Sequence, residues 1–260
     1  EVAFITQGTQ AFAEHASSID VRNLTLASGP VAALGTAKVA DILAQTGTRA
    51  TALNHVFGVH PDLPRDEGGA AQGLTAAIDA AATLGADRIY LISGGRGSLT
   101  WEEAAERFAE LIAPCREHAH ALGVQLLIEN ASALNVDMHM VHTLPDAIHL
   151  AEVAQIGICI ELHACWMEGN LEANLAKAVP MAGLVQVSDY VLGDRVSPCR
   201  AVPGDGVIPL ERLLRTILDL GYDGLFDLEL VGPRIVEEGP ESASTRSAHY
   251  LSDLLTRLGA

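Results

Sequence analysis

Short apolar runs alternate with amphipathic stretches of helical period along nearly the whole chain. Eight of the runs have the length and composition of buried strands. These predicted strands are Val2–Thr6, Asn23–Ala27, Ala50–Phe57, Arg88–Ser93, Val124–Glu129, Gly157–Glu161, Gly183–Ser188 and Leu225–Val231. Eight strands that each lead into a helix, over 260 residues, are typical of an α/β fold, the (β/α)8 TIM barrel, with residues 1–260 as a single domain. An open doubly wound sheet is the alternative, but no G-x-G-x-x-G motif follows the first strand.

Several of the intervening segments carry helix start and stop signals. Thr100, with Glu103 three residues later, predicts a capping box at the start of a helix over Trp101–Leu122. The segment Leu210–Leu220 lies between a proline and a glycine, as helices often do. The first crossover, Gln7–Asp20, is short for a barrel unit. The other predicted helices are Thr36–Gln45, Gly69–Leu84 and Ser242–Leu258.

Charge and composition exclude several classes of protein. With 33 Asp and Glu against 16 Lys and Arg, the formal net charge is −17, so the surface repels phosphate backbones and no nucleic-acid partner is expected. No apolar run reaches the ~18–20 residues of a membrane span. No signal peptide is expected, although a start at Glu1 instead of Met leaves room for a preceding segment.

Cysteine and lysine are both scarce in this chain, and their positions restrict the class of protein further. The 4 Cys include no C-x-x-C pair, which predicts reduced thiols in a cytoplasmic protein. The only lysines, Lys38 and Lys177, fall in segments of helical pattern. A Schiff-base enzyme needs a lysine at the mouth of its site, so that class is not expected.

Polar side chains end the later strands, where catalysis occurs in barrels of this kind. Glu129 ends strand five, Glu161 ends strand six, and Gln186 lies among apolar residues of strand seven. In strand eight, Glu229 shares a face with Asp227 by the two-residue period. Unpaired buried carboxylates cost several kcal/mol each, so a divalent cation is expected among them. Ligands that are all oxygen atoms favour Mn²⁺ or Mg²⁺ over Zn²⁺.

Arginines are the alternative partners of these carboxylates. Three arginines fall near strand ends, namely Arg96, Arg200 and Arg234. Arg200 lies in the Pro- and Gly-rich loop after strand seven, which has the composition of a shaped loop. It is a candidate for binding substrate or developing negative charge, and the alternative is an ion pair with the acidic surface.

Four short motifs give the chain a family likeness. They are Ile128-Glu129-Asn130, Cys159-Ile160-Glu161 with Trp166 nearby, Gln186-Val187-Ser188-Asp189 ahead of a Gly204-Asp205-Gly206 loop, and Asp227-Leu228-Glu229. Together they resemble the xylose isomerase-like TIM barrels, which include sugar isomerases, 3-epimerases, inosose dehydratases and endonuclease IV. The resemblance covers most of the chain and is best from about Gly69 to Gly239.

The resemblance implies a metal site with four ligands, namely Glu129, Glu161, Gln186 and Glu229. Mn²⁺ is the expected ion, with Mg²⁺, Co²⁺ and Zn²⁺ as alternatives. The family usually has Asp at the position of Glu161 and His at the position of Gln186. An amide oxygen is a neutral, weaker ligand, so the metal affinity or preference is expected to differ. The family's His three residues after the strand-six acid is Ala164 here, beside His163.

Other side chains are candidates for contact with a carbohydrate substrate. His55 ends strand three and His163 follows strand six, and each lies either at the mouth of the site or in the packed interior. Trp166 is expected either to line a sugar pocket or to belong to the core. A second metal site at His139 and His142 is not expected, because no partner ligands have a suitable spacing.

Three functions remain open from the sequence. The first is a metal-dependent isomerase or epimerase of a ketose or keto-sugar, in which Glu129 and Glu229 move the proton of an enediolate. The second is a dehydratase or lyase that acts on a 3-keto sugar or glycoside at the same site. The third is a retired barrel that serves as a binding or partner subunit. A small carbohydrate is the expected partner, without nucleic acid or membrane, and assembly of identical subunits is left open.

Overall fold

The computed structural model describes residues 2–3, 8–58 and 63–260. Eight parallel strands form a closed barrel in which each strand pairs with the next and the last pairs with the first. The strands are β1 (Val2–Ala3), β2 (Asn23–Ala27), β3 (Arg49–Val56), β4 (Arg88–Ile92), β5 (Gln125–Glu129), β6 (Gly157–Glu161), β7 (Ala182–Val187) and β8 (Leu225–Glu229). The predicted barrel is confirmed, and residues 4–6 of the first predicted strand lie outside the described residues.

Helices surround the barrel. They are α1 (Thr9–Ser18), α2 (Ser28–Leu34), α3 (Thr36–Thr46), α4 (Gly69–Leu84), α5 (Trp101–Ala121), α6 (Leu144–Ala154), α7 (Leu162–Cys165), α8 (Leu171–Ala178), α9 (Leu210–Asp219), α10 (Pro233–Glu238) and α11 (Pro240–Leu258). The predicted capping box is present: the Glu103 backbone N–H donates to Thr100 Oγ1 at 3.2 Å, and the Thr100 N–H donates to the Glu103 carboxylate at 2.8 Å. The segment after β1 is long enough for one short helix, α1.

Alternate residues of each strand point into the barrel, and they form two layers. The lower layer is apolar and buried, and consists of Ala52, Tyr90, Leu127, Cys159 and Leu184. Burying an apolar side chain the size of leucine, such as Leu127 or Leu184, stabilises the fold by about 1.5–3 kcal/mol. Two residues further along four of these strands, the inward side chains are polar, namely Asn54, Glu129, Glu161 and Gln186. The sequence therefore places an apolar floor beneath a polar layer at the carboxyl end of the barrel.

The long loop between β7 and α9 is organised around one buried carboxylate. Asp189 accepts hydrogen bonds from four backbone N–H groups, those of Tyr190, Gly204, Gly206 and Ile208. A Cβ on Gly206 would lie 2.3 Å from the Tyr190 carbonyl oxygen, so only glycine fits this close approach. The loop that carries Arg200 therefore has a defined path.

Two expectations from composition can be compared with the structure. Each of the four cysteines is buried and free, as predicted. Across the described residues, the helices are too short or too polar for any of them to span a bilayer.

Candidate active site at the carboxyl ends of the strands

Five polar side chains from four consecutive strands converge inside the carboxyl end of the barrel. They are Glu129, Glu161, Gln186, Asp227 and Glu229. Strand register brings Gln186 opposite both Glu161 and Asp227. These three side chains have no exposed surface, and Glu129 is 5% exposed. The strand-end residues identified from the sequence therefore lie together, and Asp227 adds a further buried carboxylate.

A cavity of about 240 Å³ lies at this end of the barrel. Its described lining includes Tyr90, Glu129, His139, Arg200 and Glu229. The volume is below the ~300–1,000 Å³ typical of drug-sized ligands, which suits a small substrate. A larger cavity of about 840 Å³ lies at the opposite end and contains none of these side chains. Because enzymes of this fold act at the carboxyl end of the strands, the smaller cavity is the candidate site.

Arg200 lies between two of the carboxylates. Its Nη2 atom is 2.6 Å from Oε2 of Glu161 and 2.6 Å from Oε2 of Glu229. Its Nε atom also donates to Glu229 Oε2, at 3.1 Å. The arginine alternative from the sequence therefore holds for Arg200, which pairs with two of the four proposed metal ligands.

The other two strand-end arginines do not pair with these carboxylates. Arg96 donates to the Leu99 carbonyl oxygen at 2.7 Å. Arg234, in α10, forms an ion pair at 2.6 Å with Asp194 of the β7–α9 loop. Arg200 is therefore the arginine of this group that belongs to the site.

The charges at the site are unbalanced. Burial raises the pKa of Glu161 to about 7, although the positive charge of Arg200 opposes the increase. Burial, followed by the charges of Glu229 and Glu161, raises the pKa of Glu129 well above its usual value. Burial alone would lower the pKa of Arg200, but the carboxylates of Glu161 and Glu229 raise it. One guanidinium does not neutralise this set of carboxylates, so a bound proton or a further cation is favoured there.

Gln186 supplies a test of whether the site suits a metal ion. Neither amide atom of this fully buried side chain has a hydrogen-bond partner among the described residues. Leaving a buried amide unsatisfied costs about 1–3 kcal/mol, and a cation at the amide oxygen would satisfy that atom. The oxygen donors and the excess of negative charge fit a hard divalent ion.

The side-chain positions differ from those of a formed metal site. No group of three His, Cys, Asp or Glu side chains within the described ranges is arranged to hold a metal ion. Arg200 instead contacts one oxygen of Glu161 and one oxygen of Glu229. The donor chemistry therefore fits a metal ion, while the present arrangement of side chains favours the arginine.

His139 contacts Glu129, and the sequence did not indicate this role. The Ser93 backbone N–H points to His139 Nδ1 at 3.5 Å, which leaves the proton of the neutral ring on Nε2. Nε2 lies 3.8 Å from Glu129 Oε2. Burial, followed by the nearby His142, lowers the pKa of His139 to about 3, so the ring is neutral. A sequence signal is lacking, because His139 reaches Glu129 only through the path of the loop after β5.

Asn130 fixes the ends of β5 and β6 relative to each other. Its amide nitrogen donates to the Glu161 carbonyl oxygen at 3.0 Å, and its amide oxygen accepts from the Glu161 N–H at 2.9 Å. Glu161 Oε1 accepts the His163 N–H at 2.9 Å. The backbone and one carboxylate oxygen of Glu161 are therefore already held by the protein.

His163 holds Arg200 from the other side. The two side chains meet at His163 Nδ1 and Arg200 Nη1, 2.8 Å apart. Arginine only donates, so Nδ1 accepts. Burial, followed by the charge of Arg200, lowers the pKa of His163 to about 3 and keeps the ring neutral. Trp166 packs against Tyr190, with ring centroids 6.2 Å apart, and is absent from the described lining of the cavity.

His55 lies on the outer face of β3, so the structure does not bring this predicted substrate contact to the site. Its Nδ1 atom is 2.8 Å from Ser28 Oγ, and its ring packs near Gly73 of α4. The reason is strand parity: Ala52 points into the barrel, so Asn54 does too and His55 points away. Asn54 is the β3 side chain that lines the cavity.

We expect His55 to make the protein acid-sensitive. Burial lowers its pKa from 6.5 to about 4. The unfolded chain therefore binds a proton that the folded protein does not, and stability is lost as the pH falls from about 6.5 to about 4, by ~1.4 kcal/mol per pH unit. Urea unfolding of wild type and His55→Gln at several pH values measures this slope. Equal pH dependence in the two proteins below pH 6 would contradict the assignment.

The sequence matches the family model described as xylose isomerase-like TIM barrel over residues 14–254. Fructoselysine 3-epimerase from Shigella flexneri is 27% identical over 161 residues, which are 60% of this chain and 56% of that protein. The match thus spans about half the length of this curated relative. That relative is named as a 3-epimerase.

Three solved structures show the same fold. D-psicose 3-epimerase with D-tagatose from Clostridium cellulolyticum H10 has a TM-score of 0.75 at 14% identity, over 95% of this chain and 94% of that one. IOLI protein with a bound zinc atom has a TM-score of 0.79 at 15% identity, over 99% of both chains. A Mycobacterium smegmatis protein in complex with magnesium has a TM-score of 0.70 at 18% identity, over 98% of this chain and 91% of that one. The structural neighbours therefore include zinc and magnesium complexes.

These likenesses to solved structures establish the fold, and the family model establishes the relationship. The match runs from within α1 to within α11 and includes all the strand-end carboxylates described above. The chain belongs to the xylose isomerase-like TIM barrel family.

Proposed function

We propose that the protein is a sugar isomerase or epimerase that acts on a ketose or keto-sugar through an enediolate. The observation that carries this proposal is that Glu129 and Glu229, from strands three positions apart in the barrel, border one small cavity. Two carboxyl groups on different sides of a substrate can remove a proton from one face and return it to another. The 3-epimerases among the relatives and structural neighbours support the same class of reaction.

The reacting bond is the C–H next to the sugar carbonyl. One of the two glutamates takes the proton, and the electron pair moves onto the carbonyl oxygen. Return of a proton to the opposite face of the same carbon gives the epimer, and return to the neighbouring carbon gives the isomer. Arg200 borders the cavity and contributes positive charge close to the developing oxyanion.

A divalent metal ion is part of this proposal. Its ligands would be Glu129, Glu161, Gln186 and Glu229, with Mn²⁺ preferred and Mg²⁺, Co²⁺ or Zn²⁺ as alternatives. When bound, such an ion would polarise the carbonyl and stabilise negative charge on oxygen. The unpartnered Gln186 amide and the excess of buried carboxylates support it. The zinc and magnesium complexes among the structural neighbours add support.

Proton exchange tests the proposed reaction without knowledge of the natural substrate. Purified protein is incubated in D₂O with Mn²⁺ and a panel of ketoses and 3-keto sugars, and products are analysed by NMR and mass spectrometry. We expect deuterium at the carbon next to the carbonyl, with rearrangement and no other change of mass. Loss of water or of an aglycone would instead assign the site to a dehydratase or lyase. A wild type that exchanges no proton with any of the sugars would favour the retired barrel.

A further inference from the structure

Arg200 and a metal ion would need the same oxygen atom. Glu161 Oε1 already accepts the His163 backbone N–H, so Oε2 is the oxygen of this carboxylate that remains for a cation. Arg200 Nη2 lies 2.6 Å from that oxygen. Glu161 Oε2 has no hydrogen-bond partner among the described residues, so its contact with Arg200 is an ion pair. Arg200 therefore contacts the side chain through the atom that a metal ion would use.

Arg200 also engages Glu229, through one of its two oxygens. Both Nε and Nη2 of Arg200 donate to its Oε2 atom, at 3.1 and 2.6 Å. A carboxylate oxygen that accepts two guanidinium N–H groups has little lone-pair capacity left for a cation. One guanidinium thus contacts one oxygen of each of two proposed ligands.

The competing guanidinium is held firmly and keeps its charge. The Arg200 backbone N–H donates to the Val231 carbonyl oxygen at 3.0 Å, and His163 accepts from Nη1 at 2.8 Å. An arginine side chain does not lose its proton in proteins, so a change of pH does not remove it. The side chain also borders the 240 Å³ cavity, which gives it space to turn into while the loop backbone stays in place.

We propose that Arg200 is an intrinsic competitor of the divalent metal ion at this site. The metal-free protein is stabilised by the Arg200 pairs with Glu161 and Glu229, and metal binding at Glu161 Oε2 requires the guanidinium to leave that oxygen. Arg200 is thus a positioning residue that sets the metal affinity. The inference rests on the proposed function only in that the same four side chains would bind the metal.

Metal titration of matched variants tests whether Arg200 and the metal ion compete. Wild type, Arg200→Gln and the control Arg234→Gln are stripped with EDTA, and Mn²⁺ binding is measured by calorimetry and by the EPR signal of free Mn²⁺. We expect Arg200→Gln to bind Mn²⁺ about tenfold more tightly, or more, because no guanidinium must be displaced. The metal-free Arg200→Gln protein should melt at a lower temperature and gain more on Mn²⁺ addition than wild type. Arg234 pairs with Asp194 away from the site, so its variant should match wild type.

A second variant keeps the test decisive if Arg200→Gln does not fold. His163→Leu removes the acceptor of Arg200 Nη1 without touching a proposed ligand, and should raise Mn²⁺ affinity by a smaller factor. The proposed competition between Arg200 and the metal ion is refuted if the variants that fold bind Mn²⁺ no more tightly than wild type, or if none of the proteins binds Mn²⁺. Proton exchange with sugars in wild type would then still support the proposed reaction. Tighter Mn²⁺ binding by the variants, together with no proton exchange between any sugar and solvent, would instead support the competition and refute the proposed reaction.

Discussion

Glu229→Gln is expected to lose proton exchange between a sugar substrate and solvent. A carboxamide is nearly the same size as a carboxylate but cannot take up a proton, so the variant lacks one of the two groups that move it. General acid–base catalysis contributes about 10²–10⁴-fold to a rate, and we expect a loss of that order in kcat. Glu129→Gln should have a similar effect. Deuterium incorporation in D₂O measures the loss directly.

The two variants differ in what else they disturb. Glu229 pairs with Arg200, whereas Glu129 faces His139 Nε2 at 3.8 Å. Comparable losses of exchange in both variants would reflect the shared proton transfer. Glu172→Gln is the matched control, since this exposed carboxylate pairs with Arg212 on the outer helices. Full exchange in Glu229→Gln would refute the proposed mechanism, provided that the protein is folded by circular dichroism.

The sequence was sufficient for the barrel and for the position of its carboxylates. Buried strands and amphipathic helices have different periods, and both periods are visible in the chain. Strands β2 and β6 have the predicted bounds, and so does α4. Parallel strands also place their carboxyl ends at one side of the barrel, so Glu129 and Glu161 could be expected to meet from strand order alone.

The contacts between strands and loops were less predictable. Arg200 lies 39 residues after Glu161 and 29 residues before Glu229, and only the path of the β7–α9 loop brings it between them. His139 reaches Glu129 in a similar way. A local pattern does not encode where a long loop places a side chain, because that depends on hydrogen bonds formed across the fold.

The sequence around His55 does encode the direction in which its side chain points. Leu53 and His55 lie on one face of β3, and Phe57, just after the end of the strand, continues the same two-residue period; Ala52 and Asn54 lie on the other face. Inside a barrel of eight strands, side chains fit only in interdigitated layers. On the outer face of each strand, bulky apolar residues pack against the helices. Because Leu53 and Phe57 are large and apolar, the face that they share with His55 is the one that packs against the helices. The end of a strand alone does not decide which side chain enters the site.

Asp189→Ala is expected to destabilise the protein by about 3 kcal/mol or more. The carboxylate is 1% exposed and accepts four backbone N–H groups at 2.8–3.0 Å, which would be left unsatisfied by alanine. A hydrogen bond to a charged group contributes about 1.5–3 kcal/mol, and four that share one side chain are not additive. For a chain of this size, the melting temperature should fall by at least about 6–12 °C.

Asp194→Ala separates this effect from a general loss of charge in the same loop. Asp194 pairs with the exposed Arg234, and such surface pairs contribute little, so the melting temperature should hardly change. A decrease in Asp189→Ala no larger than in Asp194→Ala would show that the four hydrogen bonds do not stabilise the loop. If Asp189 does organise the loop, its loss also releases Arg200 from Glu161 and Glu229. The Asp189→Ala protein should then share the tighter Mn²⁺ binding expected of Arg200→Gln, although neither substitution replaces a proposed ligand.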